Sequence, residues 1–329
     1  MQREIGKEYP EAGEQQTTQE IIAAIERSLA KVYGAGHQNR QFHAKMHGCI
    51  KGVFTVDPNL ATEYQVGAFK AGKQYDCWAR LSNGNTKVVD DRKADLRGFA
   101  IKLTGVDGPQ VVNDESMPGS HDLLLVSYPT LLAATVKDFK KSIDAICNGL
   151  PGLVSFSLNP FNWGIVARTL ASMKKQDNLF AVPYWSVSPY RYGAADKAVK
   201  YKLVPATQNL TQPTHKNPTF FQETIVADLA KQDITFDLMI QFQEDAVRDD
   251  MEDLTKEWQS PFHKIGKLVL PQQQFVPQAT QQFGDNLTYS PWHCGAAHQP
   301  LGSINRARQA AYDAISKFRI AHNQKTTSI

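Results

Sequence analysis

An arginine and a tyrosine, Arg308 and Tyr312, lie four positions apart in the run SINRARQAAYDAISKF. On a helix this spacing places the two side chains next to each other on successive turns. A phenol ordinarily loses its proton near pH ~10, so a tyrosine that binds a metal as an anion needs a neighbouring cation or hydrogen-bond donors. A guanidinium supplies both, and the pair could hold an iron-bound phenolate. Taken alone, the spacing is more typical of an ordinary amphipathic helix.

The residues around this pair predict a helix over 303–322. Apolar side chains recur at the helical period and form one stripe, with Arg308 and Tyr312 at its edge: Ile304, Ala311, Ile315 and Phe318. Such a stripe packs against the rest of the protein. The arginine and the tyrosine are therefore expected to face inward.

Three further groups of polar residues occur far upstream. They are Arg40 and His43 in RQFHAK, Arg80 and Ser82 in WARLSN, and Asp95, Arg97 and Gly98 in DLRGFAIK. With the late helix, they follow the motif order of the catalase superfamily, which the sequence resembles over roughly residues 37–320. Each motif is weak by itself, and four of them in this order are fairly specific.

The resemblance implies a haem b site and a role for each matching residue. His43 matches the distal histidine that moves the peroxide proton, and Ser82 matches the serine that orients it. Arg40 and Arg80 match the arginines that bind the haem propionates. Arg308 and Tyr312 match the proximal pair, with Tyr312 as the axial iron ligand. Phe139 corresponds to the phenylalanine that stacks on the haem, in a loose alignment.

Each of these residues has a structural interpretation as well. A single histidine is more often a buried or surface residue with ordinary partners, and a single arginine is more often a surface charge. Asp95 and Arg97 are expected to form a structural ion pair at a strand end. Only the joint pattern favours haem binding, and a fold does not by itself fix a function.

The sequence departs from the family at Ser127. Catalases have a distal asparagine at the matching position, before a T-P run, whereas this chain has Val126-Ser127-Tyr128-Pro129. A hydroxyl is shorter than a carboxamide and offers one donor instead of two, which argues against efficient disproportionation of hydrogen peroxide. His121 is an alternative distal residue, although strand alternation argues against it.

The pattern along the chain predicts a single α+β domain over 1–329, an antiparallel β-barrel of about eight strands wrapped by helices. An amino-terminal helix is expected over 17–34, with a capping box at Thr17 and Glu20 and an end at Gly34, and the barrel over about 40–275. The clearest strand is 234–243, where apolar and polar residues alternate. Further strands are expected near 50–56, 74–82, 98–104, 122–128, 197–204 and 265–270, and helices near 134–148, 160–175 and 218–231.

Length and composition narrow the comparison. At 329 residues the chain resembles the short catalase-related haem proteins, which include catalase-related peroxidases and the haem domain of coral allene oxide synthase. A net charge of +3 and a charged fraction of 21% argue against a nucleic-acid partner, and the sequence has no apolar run suited to stable membrane insertion. The first residues lack an apolar signal region, so a cytoplasmic location is expected. A homo-oligomer is left open.

These observations predict a haem-dependent hydroperoxidase, a catalase-related peroxidase that cleaves or rearranges the O–O bond of organic hydroperoxides. Fatty acid hydroperoxides are among the candidate substrates, and the outcome could be peroxidase, isomerase or lyase turnover. A small-molecule reductant is the expected second partner. The alternatives are a hydrogen peroxide catalase of low activity and a haem-binding protein without turnover.

Overall fold

The computed structural model describes residues 3–33 and 40–327, and within them nine antiparallel strands form one sheet. They are β1 (Met46–Val56), β2 (Gln74–Asn83), β3 (Arg97–Leu103), β4 (His121–Val126), β5 (Tyr184–Trp185), β6 (Tyr190–Tyr192), β7 (Ala194–Pro205), β8 (Ile234–Phe242) and β9 (Phe262–Leu270). β1 pairs with both β2 and β9, and β5 bridges β4 and β7. These pairings close eight strands into a barrel, and β6 extends the sheet beside β7. The predicted α+β barrel is confirmed.

The inside of the barrel is filled by one apolar core. Successive side chains of a strand point to opposite faces, so every second residue enters this core. In β8, Ile234, Phe236, Leu238 and Ile240 are completely buried, as the alternation predicts. The opposite face of β1–β4 points outward and is covered by later segments of the chain. That outer face carries Arg80, Ser82 and Gly98.

Seven α-helices surround the barrel in the described part of the chain. They are α1 (Glu14–Tyr33), α2 (Val136–Cys147), α3 (Gly149–Leu158), α4 (Trp163–Ser172), α5 (Phe220–Lys231), α6 (Pro277–Asn286) and α7 (Ser303–Thr327). Apolar residues of α1, α2 and α7 form a second cluster, which also includes Val126 at the end of β4 and Trp185 of β5. This cluster covers one end of the outer face.

The first helix differs from its prediction. It begins at Glu14, and the hydroxyl of Thr17 donates a hydrogen bond of 3.0 Å back to the carbonyl of Gly13. Thr17 therefore lies inside the helix, and the predicted capping box at this residue is wrong. Gly34, the predicted end of the helix, lies outside the described residues.

The helix with the Arg308 and Tyr312 pair begins at Ser303, as predicted, and runs to Thr327. The predicted helices do not include α3 or α6. The sequence of α3 contains Pro151 and Gly152 and lacks a polar face, so it does not look helical. No described helix is long and apolar enough to cross a lipid bilayer.

Candidate functional site

His43 lies at the centre of a polar site on the outer face of β2 and β3. Its Nδ1 shares a hydrogen bond of 3.0 Å with the hydroxyl of Ser82, and its carbonyl accepts one of 2.9 Å from Arg80. The backbone of His43 is left-handed, with φ at 58°, a region that few residues other than glycine adopt. Bonds from two strand residues thus hold both the main chain and the ring.

Gly98 is the residue that makes room for the His43 ring. It pairs with Ser82 across β2 and β3, and a Cβ at this position would lie 2.5 Å from two atoms of the imidazole. A glycine inside a strand often marks such a close approach of another group. Gly98 belongs to the DLRGFAIK motif, but the motif alone does not indicate this role.

The imidazole of His43 is neutral at neutral pH. It keeps some accessible surface, but its crowded surroundings penalise a charge there. Burial, together with the nearby charges of Arg80, Arg40 and Arg308, lowers its pKa to about 3. Ser82 engages Nδ1, which leaves Nε2 as the nitrogen that can accept a proton.

Two arginines lie beside this histidine, of which Arg80 is buried and Arg40 is half-buried. Arg40 donates to the main-chain carbonyl of Leu287 and, at 3.4 Å, to that of Gly284. Burial lowers the pKa of Arg40, and burial and the charge of Arg40 lower the pKa of Arg80 to about 9. Within residues 3–33 and 40–327 neither arginine forms an ion pair, and the Nε atoms of both have no hydrogen-bond partner.

Tyr289 completes this group and is not among the residues predicted from the sequence. Its ring lies 5.9 Å from the guanidinium of Arg40, and its buried hydroxyl has no hydrogen-bond partner in the described structure. No motif marks it, since it is an isolated tyrosine before the Ser290–His293 segment. Three buried donor atoms, the Nε atoms of Arg40 and Arg80 and the hydroxyl of Tyr289, thus have no hydrogen-bond acceptor in the described structure.

On α7 the predicted Arg308 and Tyr312 pair is formed. The guanidinium donates a hydrogen bond of 3.1 Å to the phenol oxygen, and its centre lies 5.1 Å from the ring. Arg308 also donates to Asn305 at 3.1 Å and to Ser188 at 3.3 Å. Although burial lowers it, the pKa of Arg308 is raised overall by the hydroxyls of Tyr312 and Tyr190. A half-buried cation with neutral partners is suited to stabilise a phenolate.

The two halves of the site come together in space. Arg308 contributes to the lowered pKa of His43, and Tyr312 acts electrostatically on Arg40. Beside them, Phe139 of α2 packs in the second apolar cluster with Phe42 and Val126. The structure therefore brings the predicted residues from β2, α2 and α7 to one region.

Ser127 directly follows β4, and its hydroxyl accepts a hydrogen bond of 2.8 Å from the main-chain N–H of Arg97. The preceding residue, Val126, pairs with Gly98 and joins the apolar cluster near His43. At this end of the outer face the chain thus presents the isopropyl group of Val126. The nearby hydroxyl of Ser127 already accepts a hydrogen bond.

Two other histidines lie elsewhere. His121 pairs with Leu103 at the opposite end of β4, and its ring centroid lies 5.1 Å from that of His298 inside the barrel. The Nε2 atom of His47 shares a hydrogen bond of 2.8 Å with Asn83, a residue whose side chain also points inward.

The predicted ion pair between Asp95 and Arg97 is wrong. Asp95 accepts hydrogen bonds from the main-chain N–H groups of Asn85 and Leu96. The guanidinium of Arg97 donates to the carbonyl of Lys93 at 2.9 Å and lies 4.7 Å from the ring centroid of Phe221. The strand alternation turns Arg97 into the end of the barrel, where main-chain and aromatic groups satisfy it.

A closed eight-stranded antiparallel barrel with this arrangement of helices is the fold of catalases. No protein-family model matches the sequence, and no curated protein matches it. Among solved structures, the chain is similar to a fungal catalase, with a TM-score of 0.69 and 18% identity over 88% of this chain and 62% of that one. It is similar to catalase A from Saccharomyces cerevisiae, with a TM-score of 0.68 and 18% identity over 86% of this chain and 61% of that one. A bacterial catalase gives a TM-score of 0.59 and 14% identity, over 86% of this chain and 57% of that one. The chain thus spans about three fifths of these proteins.

Proposed function

We propose that this protein is a haem-dependent hydroperoxidase that cleaves the O–O bond of organic hydroperoxides. The observation that carries the proposal is the pair Arg40 and Arg80 beside His43 and Tyr312: Arg80 is buried, Arg40 is half-buried, and neither forms an ion pair with a described residue. The carboxylate of Asp285 acts electrostatically on both arginines, but burial still lowers their pKa values. Buried cations of this kind are costly unless an anion compensates them. The two carboxylates of haem b would do so.

The donor set fits haem b in three respects. Tyr312 is a phenol with a guanidinium partner, which favours the anionic form that binds iron. The Nε atoms of Arg40 and Arg80 are orphaned, buried donors for propionate oxygens. Phe139 and Val126 supply apolar surface for a flat ring. When bound, the haem would supply an iron centre that exchanges electrons with the O–O bond.

The residues of the chain then handle the proton. Nε2 of neutral His43 accepts the proton from the near oxygen of the hydroperoxide and returns it to the far oxygen, which can leave as an alcohol or water. Ser82 keeps the imidazole oriented through Nδ1, and Gly98 leaves space for the ring. Of the three charges that lower the pKa of His43, two belong to Arg40 and Arg80, which bound carboxylates would neutralise.

The apolar distal side supports an organic hydroperoxide as substrate in preference to hydrogen peroxide. Val126 lies on the outer face with Gly98, and Ser127 has a hydroxyl instead of a hydrogen-bonding carboxamide. A fatty acid hydroperoxide suits such surroundings, because its alkyl chain gains free energy on leaving water. Peroxidase turnover would also need a small-molecule reductant, whereas isomerase or lyase turnover would not. A hydrogen peroxide catalase of low activity is the competing proposal.

The test is an absorption spectrum of the purified, haem-supplied protein before and after addition of hydrogen peroxide or a fatty acid hydroperoxide. We expect a tyrosinate-type haem spectrum that Tyr312→Phe abolishes or changes. Tyr192→Phe is the matched control, because that buried hydroxyl donates to a carbonyl away from the site. His43→Ala should keep haem and react with peroxide on the order of 100- to 10,000-fold more slowly.

Three results would count against parts of the proposal. An unchanged spectrum in Tyr312→Phe would refute the iron ligand. Haem that reacts with no peroxide would indicate a haem-binding protein without turnover. Rapid oxygen release from hydrogen peroxide, with no turnover of organic hydroperoxides, would indicate a catalase.

A further inference from the structure

The segment formed by α3, the start of α4 and the turn between them exposes an unusual amount of apolar surface. We call it the α3–α4 surface, defined by Leu150, Leu153, Val154, Leu158, Phe161 and Trp163. Phe161 is 92% exposed, Leu158 75% and Leu150 74%. Single exposed apolar residues are normal, but contiguous apolar surfaces mark sites of interaction.

The local structure fits an apolar partner. No residue of α3 is buried. The indole N–H of Trp163 donates a hydrogen bond of 3.1 Å to the carbonyl of Ser157, and the amide of Asn162 donates one of 3.1 Å to the carbonyl of Phe156. Polar groups at the turn are therefore satisfied within the segment, which removes a cost of placing it against hydrocarbon.

Between Asp144 and Asp177 the charged residues are all basic. From Ala145 to Gln176 the sequence contains no Asp or Glu, whereas it contains Arg168, Lys174 and Lys175. Lys174 and Lys175 are exposed, just after α4. Exposed aromatic and aliphatic side chains beside cations are typical of segments that lie in the interface of an anionic membrane.

We propose that the α3–α4 surface docks the protein onto an anionic phospholipid bilayer. The segment inserts its apolar side chains at the level of the headgroups without spanning the bilayer, and the basic residues contact lipid phosphates. The proposal depends on this segment alone and does not require haem binding. Arg168 donates a hydrogen bond of 2.8 Å to the carbonyl of Leu132, which adjoins Leu131 of the second apolar cluster. The docked face would thus lie on the side of the fold that carries the candidate site.

The test is flotation of the purified protein with vesicles of phosphatidylcholine, with and without phosphatidylserine. We expect binding to the mixed vesicles and weaker binding to phosphatidylcholine alone. The double variant Phe161→Ser, Trp163→Ser should bind at least roughly tenfold more weakly, because burial of one large apolar side chain is worth about a factor of ten or more. Lys174→Gln with Lys175→Gln should reduce the preference for phosphatidylserine.

The double variant Val88→Ser, Val247→Ser is the matched control, since these valines are 63% and 66% exposed elsewhere on the protein. It should bind like the parent protein. Circular dichroism of every variant checks that the fold is kept. Failure of the parent protein to float with either vesicle would overturn the proposal, as would a dimer in solution that Phe161→Ser with Trp163→Ser dissociates. The latter result would assign the surface to a second copy of this chain.

Discussion

Two buried cation sites lie on the outer face of the barrel, on either side of Tyr289. At the first, Lys102 forms ion pairs of 2.7 Å with both Asp114 and Asp122. At the second, Arg40 and Arg80 form no ion pair with any described residue. The ring of Tyr289 lies 5.3 Å from the ammonium of Lys102 and 5.9 Å from the guanidinium of Arg40. The cation of the first site is thus paired with carboxylates, whereas the buried Arg80 and the half-buried Arg40 of the second site are not.

The difference is the one expected between a structural site and the ligand site that we propose. Burial opposes ionisation of Asp114, but Lys102, Ser116 and His293 together lower its pKa. The charges of that site are complete within the chain. At the second site burial lowers the pKa of both arginines, the charge of Arg40 lowers that of Arg80 further, and a bound anion would oppose these effects.

Two neighbouring arginines of α7 repeat this contrast. Arg306 forms ion pairs with Glu8, Glu14 and Glu252. Arg308, one half-turn further on, donates to neutral oxygens and to Tyr312. Position on the helix alone therefore does not distinguish the two arginines. Their partners distinguish them, because Arg306 contacts carboxylates and Arg308 contacts neutral oxygens.

The largest effect is expected at the compensated site. Lys102→Met leaves two carboxylates buried without a cation, so the free energy of unfolding should fall by about 3–5 kcal/mol. Lys73→Met is the matched control, since its ion pair with Asp107 is exposed and should contribute little to stability. Urea unfolding of the haem-free proteins measures both. Equal losses in the two variants would remove the distinction between the sites.

At the uncompensated site, removal of a cation should affect haem affinity more than the stability of the haem-free protein. Arg80→Met should change the stability of the haem-free protein by only about 1 kcal/mol, the value of its hydrogen bond to His43. Haem affinity should fall roughly tenfold to a hundredfold, because a charge-assisted bond is lost. Haem titration measures this, with the exposed Arg92→Met as control. A large loss of stability with unchanged haem affinity would make Arg80 structural.

Burial and the charges of Arg80, Arg40 and Arg308 should also make the haem-free protein sensitive to acid through His43. Its pKa is about 3 in the folded chain, against about 6.5 when unfolded. Between those values the unfolded chain binds more protons, so stability falls as the pH decreases, by at most about 1.4 kcal/mol per pH unit. His43→Gln should remove this contribution, while buried His47 and His298, with pKa values lowered by burial to about 4, keep theirs. Urea unfolding at several pH values measures this dependence. An unchanged slope of the free energy of unfolding against pH in His43→Gln would contradict the assignment.

The smallest effect concerns the apolar side of the site. Ser127→Asn should raise oxygen release from hydrogen peroxide, by roughly threefold to tenfold if the new carboxamide adds one hydrogen bond. Val126→Asn should raise it more, because Val126 shares the outer face with Gly98. Oxygen evolution of the two variants and the parent protein gives the comparison. No increase in either variant would show that a missing carboxamide does not limit the reaction.

The sequence was most informative where a regular period or a motif coincided with a strand or helix. The alternation in β8 and the stripe of α7 follow from residues that must be buried on one face. β5 and β6, of 2 and 3 residues, are too short to show a period, although β5 closes the barrel. The start of α1 was misplaced because Thr17 also bonds well inside a helix.

Within the candidate site, partners in space were harder to predict than residue types. Asp95 and Arg97 looked like an ion pair because they have opposite charge and lie two positions apart. Strand alternation instead sends Arg97 into the barrel, toward Asn83 and Phe221. Tyr289 reaches Arg40 only through the packing of distant segments, and no local pattern records such a contact.

The closure of the barrel has a consequence for the folding of the chain. β1 meets β9 through pairs such as Val53 with Val269, a contact between residues far apart in sequence, and such contacts make folding slow. His43 precedes β1 and Tyr312 follows β9. A folding intermediate in which β1 and β9 have not paired therefore cannot hold these two residues side by side. A cofactor bound between them would select the finished fold over every partly folded form and add its binding free energy to global stability. The supply of that cofactor in a cell would then set how much newly made protein escapes proteolysis.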